Sequence, residues 1–238
     1  MNNNAIKITV ITVAYNAKEA LRKTMQSIEE QDYTLLEYII VDGGSADGTA
    51  DMLKAYDGRL DKWVSEPDKG IYDAMNKGVN MASGDYCIFM NAGDCFAEPS
   101  AVSRATGMFA GADVAYGDIM KNGKVKRSLS PRNCHKMYYC HQAAFTRTKC
   151  LKDTPFDISH RFSADFKQAK QLYLAGKQFR QLDMVVADFD TSGISNVQRS
   201  KGLWDNIRVV QEVDSFAEKM KLLPRLLFTY WMCRLRGK

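Results

Sequence analysis

The sequence predicts an α/β fold with an open, mostly parallel sheet flanked by helices and a mixed second half. Within residues 1–120, apolar strand-like segments alternate five times with segments of helical periodicity, and the connections are short. This alternation is typical of an open parallel sheet. The pattern becomes irregular after residue 120, but no linker or low-complexity tract interrupts the chain. We therefore expect one domain over 1–238, divided into 1–120, 121–200 and 201–238.

The elements of the first half follow from their periodicity. Residues 6–14 are continuously apolar and β-branched, which predicts a strand covered on both faces. Leu21, Met25 and Ile28 lie at helical spacings and predict a helix over 18–31. Similar patterns predict strands over 38–41, 62–65, 86–90 and 113–119, and helices over 47–56, 71–82 and 99–110.

The second half has fewer clear signals. Asn122-Gly123 predicts a hairpin turn. We expect strands over 142–146 and 179–187, a helix over 163–174 and a long polar helix over 197–220. Pro224 suits the first turn of a final helix.

Composition excludes several classes of protein. No uncharged run exceeds ten residues, which excludes a membrane-spanning helix. The opening MNNNAIK does not resemble a secretory signal, and the six cysteines form no C-x-x-C pair. We therefore expect a cytoplasmic protein with reduced thiols.

Charge is distributed unevenly along the chain. Residues 1–120 hold 10 Lys and Arg against 18 Asp and Glu, whereas residues 121–238 hold 23 against 10. The basic half indicates an anionic partner, which could be nucleic acid, anionic lipid or a phosphorylated substrate. Nucleic acid is not expected, because the basic half lacks interleaved aromatic residues and any known binding module.

Polar side chains follow the first four predicted strands. Ligands of open α/β sheets bind at the carboxyl ends of the strands. A single such loop could contain only turn and helix-capping residues. Asp42 and Asp94 fit a ligand role better, because each follows an apolar strand. No P-loop, G-x-G-x-x-G or G-x-S-x-G motif is present. The four loops are Tyr15-Asn16, 42–49, 66–70 and 91–94.

Three blocks of this half carry a family resemblance. They read ITVITVAYNA, EYIIVDGGSADGT and EPDKGIYDAMNKGVNMASGDYCIFMNAGD. The series resembles the N-terminal half of a family 2 glycosyltransferase with the GT-A fold, of the bacterial surface-polysaccharide type. The likeness continues more loosely through CHQAAFTR, FSADFKQAKQLYLAGK and ADFDTSGIS, to about residue 200.

The resemblance implies an enzyme that transfers a sugar with inversion from a nucleotide-sugar donor, with a UDP-sugar favoured. The acceptor would be a glycan or a lipid-diphosphate-linked sugar at the inner face of the plasma membrane. Asp73 and Lys77 would present one helix face to the donor, although they could equally form an ordinary surface pair. The implied donor-binding residues are Tyr15, Asn16, Asp42, Ser45, Asp68, Gly70, Asp73, Lys77, Asn91 and Ala92.

The resemblance also implies metal and catalytic residues. Asp94 is the one carboxylate left in the segment 91–94 that matches the family's D-x-D block, and it would bind Mn²⁺ or Mg²⁺. Because Gly93 replaces an expected carboxylate, a non-catalytic nucleotide-sugar-binding or scaffold protein is the alternative. Asp165 would be the catalytic base, although an acid in a first helical turn also complements the helix dipole. His141 and Gln142 would lie near the acceptor or the diphosphate, but a lone histidine can be structural.

The C-terminal segment is apolar and basic. Residues 226–233 are almost entirely apolar, with Lys and Arg on both sides. We expect peripheral membrane contact through residues 221–238. Packing on the protein's own core or on a second subunit is the alternative.

Overall fold

The computed structural model describes residues 5–56, 58–191 and 199–236. Within them, nine strands form one sheet in the order β3-β2-β1-β4-β8-β6-β9-β5, with β7 paired to β6. The strands are β1 (Ile8–Ala14), β2 (Leu36–Asp42), β3 (Lys62–Ser65), β4 (Tyr86–Phe89), β5 (Cys95–Phe96), β6 (Val114–Lys121), β7 (Lys124–Lys126), β8 (Ala144–Arg147) and β9 (Phe179–Asp188). The helices are α1 (Lys18–Glu29), α2 (Thr49–Lys54), α3 (Ile71–Met81), α4 (Ala101–Thr106), α5 (Thr148–Asp153), α6 (Ala164–Leu174), α7 (Arg199–Val213) and α8 (Phe216–Leu235).

The first four parallel strands form the half of the sheet that the sequence predicts. β1 pairs in parallel with β2 and β4, and β2 pairs in parallel with β3. Every residue of β1 is buried, because alternate side chains enter two different apolar layers. Ile8 and Val10 pack with residues of α1, whereas Ile11 and Val13 pack with residues of α3. The continuous apolar run therefore reflects a strand covered on both faces, as predicted.

An antiparallel strand joins the two halves of the sheet. β8 lies between β4 and β6 and is antiparallel to both. The start of β8 therefore lies beside the carboxyl end of β4. This places His141 and Gln142, in the 3-10 turn His141–Ala143 just before β8, next to the loop that follows β4.

The second half of the chain and the short segment after β4 differ from the sequence prediction in several places. The strand predicted over 142–146 is a 3-10 turn followed by β8, and the short β5 and α5 were not predicted. The predicted polar helix ends at Val213, because Asp214 turns inward to Lys170 (Nζ to Oδ2 2.8 Å) and Ser215 caps a new helix. Residues 197 and 198 lie outside the described part of the chain. Pro224 lies inside α8 and not in its first turn.

The C-terminal helix has one packed face and one exposed face. Leu226 and Cys233 are buried, and Leu226 packs with apolar residues of α7. Phe228 and Trp231 are 68% and 62% exposed, and Met220 and Leu235 are exposed as well. No helix in the described ranges is long and apolar enough to cross a membrane.

Candidate active site

The loops after β1 and β2 hold each other in place at the carboxyl edge of the sheet. The Asn16 backbone N–H donates to Ser45 Oγ (2.7 Å), and the Ala46 N–H donates to Asn16 Oδ1 (2.9 Å). Asn16 adopts a left-handed conformation with a φ of 48°, which asparagine tolerates better than most residues. The two loops therefore form one wall at this edge.

Asp42 lies at the end of β2 and is fully buried. Its carboxylate accepts hydrogen bonds from the Ser65 hydroxyl (2.6 Å), the Ser45 N–H (3.0 Å) and the Ser45 hydroxyl. These bonds join the loops after β2 and β3. Contact between Asp42 and a nucleotide base, which the resemblance implies, stays a prediction.

The side chains of Tyr15 and Asp68 both lie against Gly43. The Tyr15 side chain is 65% exposed. A Cβ atom added to Gly43 would touch the Asp68 carboxylate and come within 3.3 Å of the Tyr15 ring. Asp68 accepts from the Gly70 N–H (2.7 Å), and Gly70 has a φ of 116°, where a side chain would be strained. The three predicted donor residues Tyr15, Asp68 and Gly70 therefore belong to one rim.

Asp73 and Lys77 support this rim from α3. Lys77 Nζ lies 2.8 Å from Glu66 and 3.8 Å from Asp73, and it donates to the Pro67 carbonyl (3.0 Å). The hydrogen bond to Glu66 raises the pKa of Lys77. Asp73 accepts from the Lys69 N–H (3.0 Å). The pair therefore fixes the loop over 66–70 in addition to forming an i, i+4 contact.

Asp94 is a buried carboxylate in the loop after β4, with 3% of its surface exposed. Its Oδ1 accepts from the Asp190 N–H (2.8 Å), and its Oδ2 accepts from Gln142 Nε2 (3.1 Å). Burial raises the pKa of Asp94 to about 6. The Ala92 N–H, two residues earlier, donates to the carbonyl of Val13 (3.1 Å), which ties this loop to β1.

A second carboxylate, which the sequence analysis did not identify, lies beside Asp94. Gly93 has a φ of 104°, and a Cβ atom there would come within 2.5 Å of Asp190 Oδ2. Asp190 belongs to the segment ADFDTSGIS, and that likeness was the only signal for it in the sequence. The glycine at position 93 therefore leaves room for a carboxylate from a distant part of the chain.

The oxygen atoms in this loop are of the chemical type that a hard divalent cation binds. Asn91 Oδ1 is buried and has no hydrogen-bond partner among the residues that the structure describes. Carboxylate and amide oxygens are the ligands that Mg²⁺ and Mn²⁺ prefer. Asp94, Asp190 and Asn91 together supply such oxygens, and a cation would offset the cost of ionising buried Asp94.

Asp165 lies at the start of α6 with three hydrogen-bond partners. Tyr72 Oη and the Phe166 N–H donate to its Oδ1 (2.9 and 2.8 Å), and His141 Nδ1 lies 3.2 Å from its Oδ2. Burial disfavours the charged carboxylate, but the His141 contact and the Tyr72 bond outweigh burial and hold the pKa of Asp165 below its usual value. Asp165 is therefore ionised at neutral pH.

His141 and Gln142 connect the two carboxylates. His141 Nε2 lies 3.4 Å from Asn91 Nδ2, while its other nitrogen contacts Asp165. Gln142, the next residue, donates to Asp94. Hydrogen bonds thus join the predicted metal ligand to Gln142 and the predicted base to His141, and the backbone joins these two neighbours. We call the four residues the polar chain (Asp94, Gln142, His141 and Asp165).

A second acidic cluster lies between α7 and the loop before α6. Asp157, His160 and Glu212 offer ligand atoms within 4.8 Å of one another. Lys167 Nζ lies 2.6 Å from both carboxylates, and buried His160 lies 2.9 Å from Asp205 and from Glu212. Because an ammonium group already bridges the carboxylates, we interpret the cluster as an ion-pair network that fastens α7 to the loop before α6.

The comparison with known proteins identifies the family. The model of Glycosyl transferase family 2 matches residues 9–171, and the chain belongs to this family. An uncharacterized glycosyltransferase of Mycobacterium tuberculosis is 28% identical over 218 residues, which cover 86% of this chain and 83% of the relative. The protein is therefore a glycosyltransferase.

Two solved structures share the fold. Staphylococcus aureus TarS 1-349 in complex with UDP-GlcNAc superposes with a TM-score of 0.71 at 19% identity, over 93% of this chain and 72% of that chain. The mannosyltransferase PcManGT from Pyrobaculum calidifontis, in complex with GDP-Man and Mn²⁺, gives a TM-score of 0.69 at 18% identity, over 87% and 64% of the chains. These matches confirm the predicted GT-A-like α/β fold.

Proposed function

We propose that this protein is an inverting glycosyltransferase that moves a sugar from a nucleotide-diphosphate donor to a glycan or lipid-linked acceptor in surface polysaccharide synthesis. The polar chain carries the proposal, because it joins a buried carboxylate suited to a cation with an ionised carboxylate suited to proton removal. The nucleotide sugars bound by TarS and PcManGT support a nucleotide-sugar donor here, with a UDP-sugar favoured.

The donor would lie across the loops that end β1 to β4. The rim of Tyr15, Asp68 and Gly70 would hold the nucleotide, while Asn16, Ser45 and Asp42 keep that wall rigid. Asp94, with Asp190 and Asn91, would hold Mn²⁺ or Mg²⁺ close to the diphosphate. When bound, this cation neutralises the charge that develops on the leaving nucleoside diphosphate.

Asp165 would act as the base. It takes the proton of an acceptor hydroxyl while that oxygen attacks the anomeric carbon and the bond to the diphosphate breaks. Attack from the side opposite the leaving group inverts the configuration. His141 and Tyr72 keep Asp165 ionised and correctly oriented for this step.

Asp165→Asn tests the proposal, because it removes the charge and preserves the shape. General-base catalysis contributes about 10²–10⁴-fold. We expect the variant to bind the nucleotide sugar as the wild type does and to lose turnover by about that factor. Asp183→Asn is the matched control, since the Asp183 side chain is fully exposed and its ion-pair contact is with Arg127, outside the polar chain. Wild-type turnover by Asp165→Asn would overturn the assignment of Asp165 as the base, whereas absence of turnover in the wild type itself would favour the non-catalytic alternative.

Peripheral membrane contact through residues 221–238 is part of this proposal. The exposed face of α8 carries Phe228 and Trp231 between Arg225 and Arg234, and this combination suits an anionic lipid surface. The opposite face of α8 packs on α7. Packing on the protein's own core, the alternative to membrane contact, therefore describes that buried face. Residues 237 and 238 lie outside the described part of the chain. Phe228→Glu combined with Trp231→Glu should abolish flotation with anionic liposomes, and unchanged flotation would contradict membrane contact.

A further inference from the structure

A cationic groove lies between α7, α8 and the loop before α6. The cavity has a volume of about 390 Å³, which is within the range of small-molecule sites. Its walls carry four basic side chains and three aromatic ones, one of which is Phe162. The other six define what we call the cationic groove: Arg161, Lys201, Arg208, Arg234, Trp204 and Tyr230.

Most of the positive charge in the groove is not neutralised. Arg208 contacts Asp205 (3.1 Å) and, more distantly, Glu212 (4.0 Å). Arg161, Lys201 and Arg234 have no carboxylate within ion-pair distance in the described ranges. Four cations converging on one cavity favour a ligand with more than one negative charge, such as a phosphate or diphosphate.

Asp205, an acidic residue that lines the groove, already has contacts within the protein. Asp205 is buried, and its carboxylate lies 2.9 Å from His160 Nδ1 and accepts from the Phe162 N–H (2.9 Å). It also contacts Arg208. These contacts engage both oxygens of the Asp205 carboxylate and fix it in the groove wall. Asp205 therefore does little to neutralise Arg161, Lys201 and Arg234.

An apolar surface continues from the groove. The Trp204 and Tyr230 rings lie 5.5 Å apart, and Tyr230 lies 5.9 Å from Trp231 on the exposed face of α8. Trp204 is half exposed. A ligand with its anionic group in the groove could therefore rest an apolar chain on these rings. The combination indicates an anionic amphiphile.

The groove adjoins the proposed base. Phe162 lines the groove and also a second cavity of about 190 Å³, which Asp165 and Ser163 line as well. A sugar attached to the anionic group could extend through the second cavity to Asp165.

We propose that the cationic groove binds the phosphate or diphosphate of an amphiphilic acceptor and directs the attached sugar to Asp165. This inference rests on the proposed function, because it assigns the acceptor class of the same active site. The acceptor's anionic group is held by α7, α8 and the loop before α6, and its apolar chain lies along the exposed face of α8.

Binding of farnesyl diphosphate tests the proposal by isothermal titration calorimetry. Farnesol is the uncharged comparison, and EDTA prevents a cation at Asp94 from contributing. Arg161→Gln combined with Lys201→Gln removes two groove cations. Lys54→Gln combined with Lys124→Gln is the control variant, because it removes two exposed cations outside the groove. Melting temperatures show whether each variant is folded.

We expect farnesyl diphosphate to bind at least about tenfold more tightly than farnesol, because charge-assisted bonds are the stronger ones. The groove variant should lose about that factor, and the control variant should not. Equal binding of the two ligands, or unchanged binding by the groove variant, would overturn the proposal.

Phosphatidylglycerol vesicles distinguish an acceptor from a general lipid surface. If the groove variant loses vesicle binding as strongly as farnesyl diphosphate binding, the groove is a headgroup site and the acceptor assignment is wrong. Retained vesicle binding supports it. Hydrolysis of a nucleotide sugar by the wild type is measured separately. Its absence would contradict the proposed function without affecting the groove result.

Discussion

His141→Phe should move the acid limb of the enzyme's pH profile toward neutral pH. The substitution keeps a ring beside Phe89, whose centroid lies 6.5 Å from that of His141. It removes the contact between His141 Nδ1 and Asp165 Oδ2, as well as the contact with Asn91. In the variant, Tyr72 and the Phe166 N–H remain to offset the effect of burial on Asp165. The pKa of Asp165 should therefore rise.

The size of the effect follows from the lost contact. A hydrogen bond to a charged group contributes about 1.5–3 kcal/mol, and about 1.4 kcal/mol corresponds to a tenfold change in a protonation equilibrium. The equilibrium between protonated and ionised Asp165 should therefore shift by about tenfold to a hundredfold toward the protonated form.

The assay is donor hydrolysis, measured as kcat against pH across the acidic and neutral range. Saturating Mn²⁺ in every assay limits the contribution of Asp94, whose pKa burial raises to about 6. Under these conditions the wild type should show no loss of activity from Asp165 until strongly acidic pH, whereas His141→Phe should begin to lose activity at a higher pH. His135→Phe is the control for removal of a histidine, and Tyr72→Phe should act in the same direction as His141→Phe. A His141→Phe profile with lower kcat but an unmoved acid limb would refute the coupling between His141 and Asp165.

Two further predictions concern the site and the sheet. Gly93→Ala places a Cβ within 2.5 Å of Asp190 Oδ2 at a φ that costs about 1–2 kcal/mol. Gly93→Ala should therefore lower the melting temperature and remove the Mn²⁺-dependent part of donor binding. Intact Mn²⁺ dependence would contradict a close approach of residue 93 to Asp190. Burial raises the pKa of Glu37, but bonds from Lys62, Thr9 and Ser83 outweigh it and lower this pKa to about 2. Glu37 therefore contributes stability above pH 4.5 that is lost as the pH falls toward 2. Glu37→Gln should cost about 2 kcal/mol in urea unfolding at neutral pH, and less in acid; a pH-independent cost would argue against an ionised Glu37.

The parallel half of the sheet could be predicted because burial on both faces leaves a strong pattern. β1 and β2 are buried over their whole length, and most of their side chains are apolar or β-branched, so their strand character is visible without tertiary information. β5 has two residues and depends on pairing with β9, and no local pattern marks it. The end of α7 depends on the buried contact between Asp214 and Lys170, which joins distant parts of the chain.

The candidate site also contains residues that the local sequence marks and residues whose positions depend on distant parts of the chain. The sequence marks Asp94 and Asp165 as candidates, because each lies in a block that resembles the family, and their roles stay predictions. Asp190 could not be predicted, because its position beside Gly93 depends on where β9 ends in the sheet. The joining of His141 and Gln142 to the two carboxylates likewise depends on the antiparallel placement of β8.

Thermal unfolding with UDP-, GDP-, dTDP- and CMP-sugars, each with and without Mn²⁺, tests the proposed function most directly. A ligand at about a hundred times its dissociation constant adds about 2.7 kcal/mol of stability. For a domain of this size, that raises the melting temperature by about 5–10 °C. We expect such a rise for one nucleotide class, dependent on Mn²⁺ and absent in Asp94→Asn. A flat response across the panel, or a rise that Asp94→Asn retains in full, would contradict a cation-assisted donor site at the polar chain.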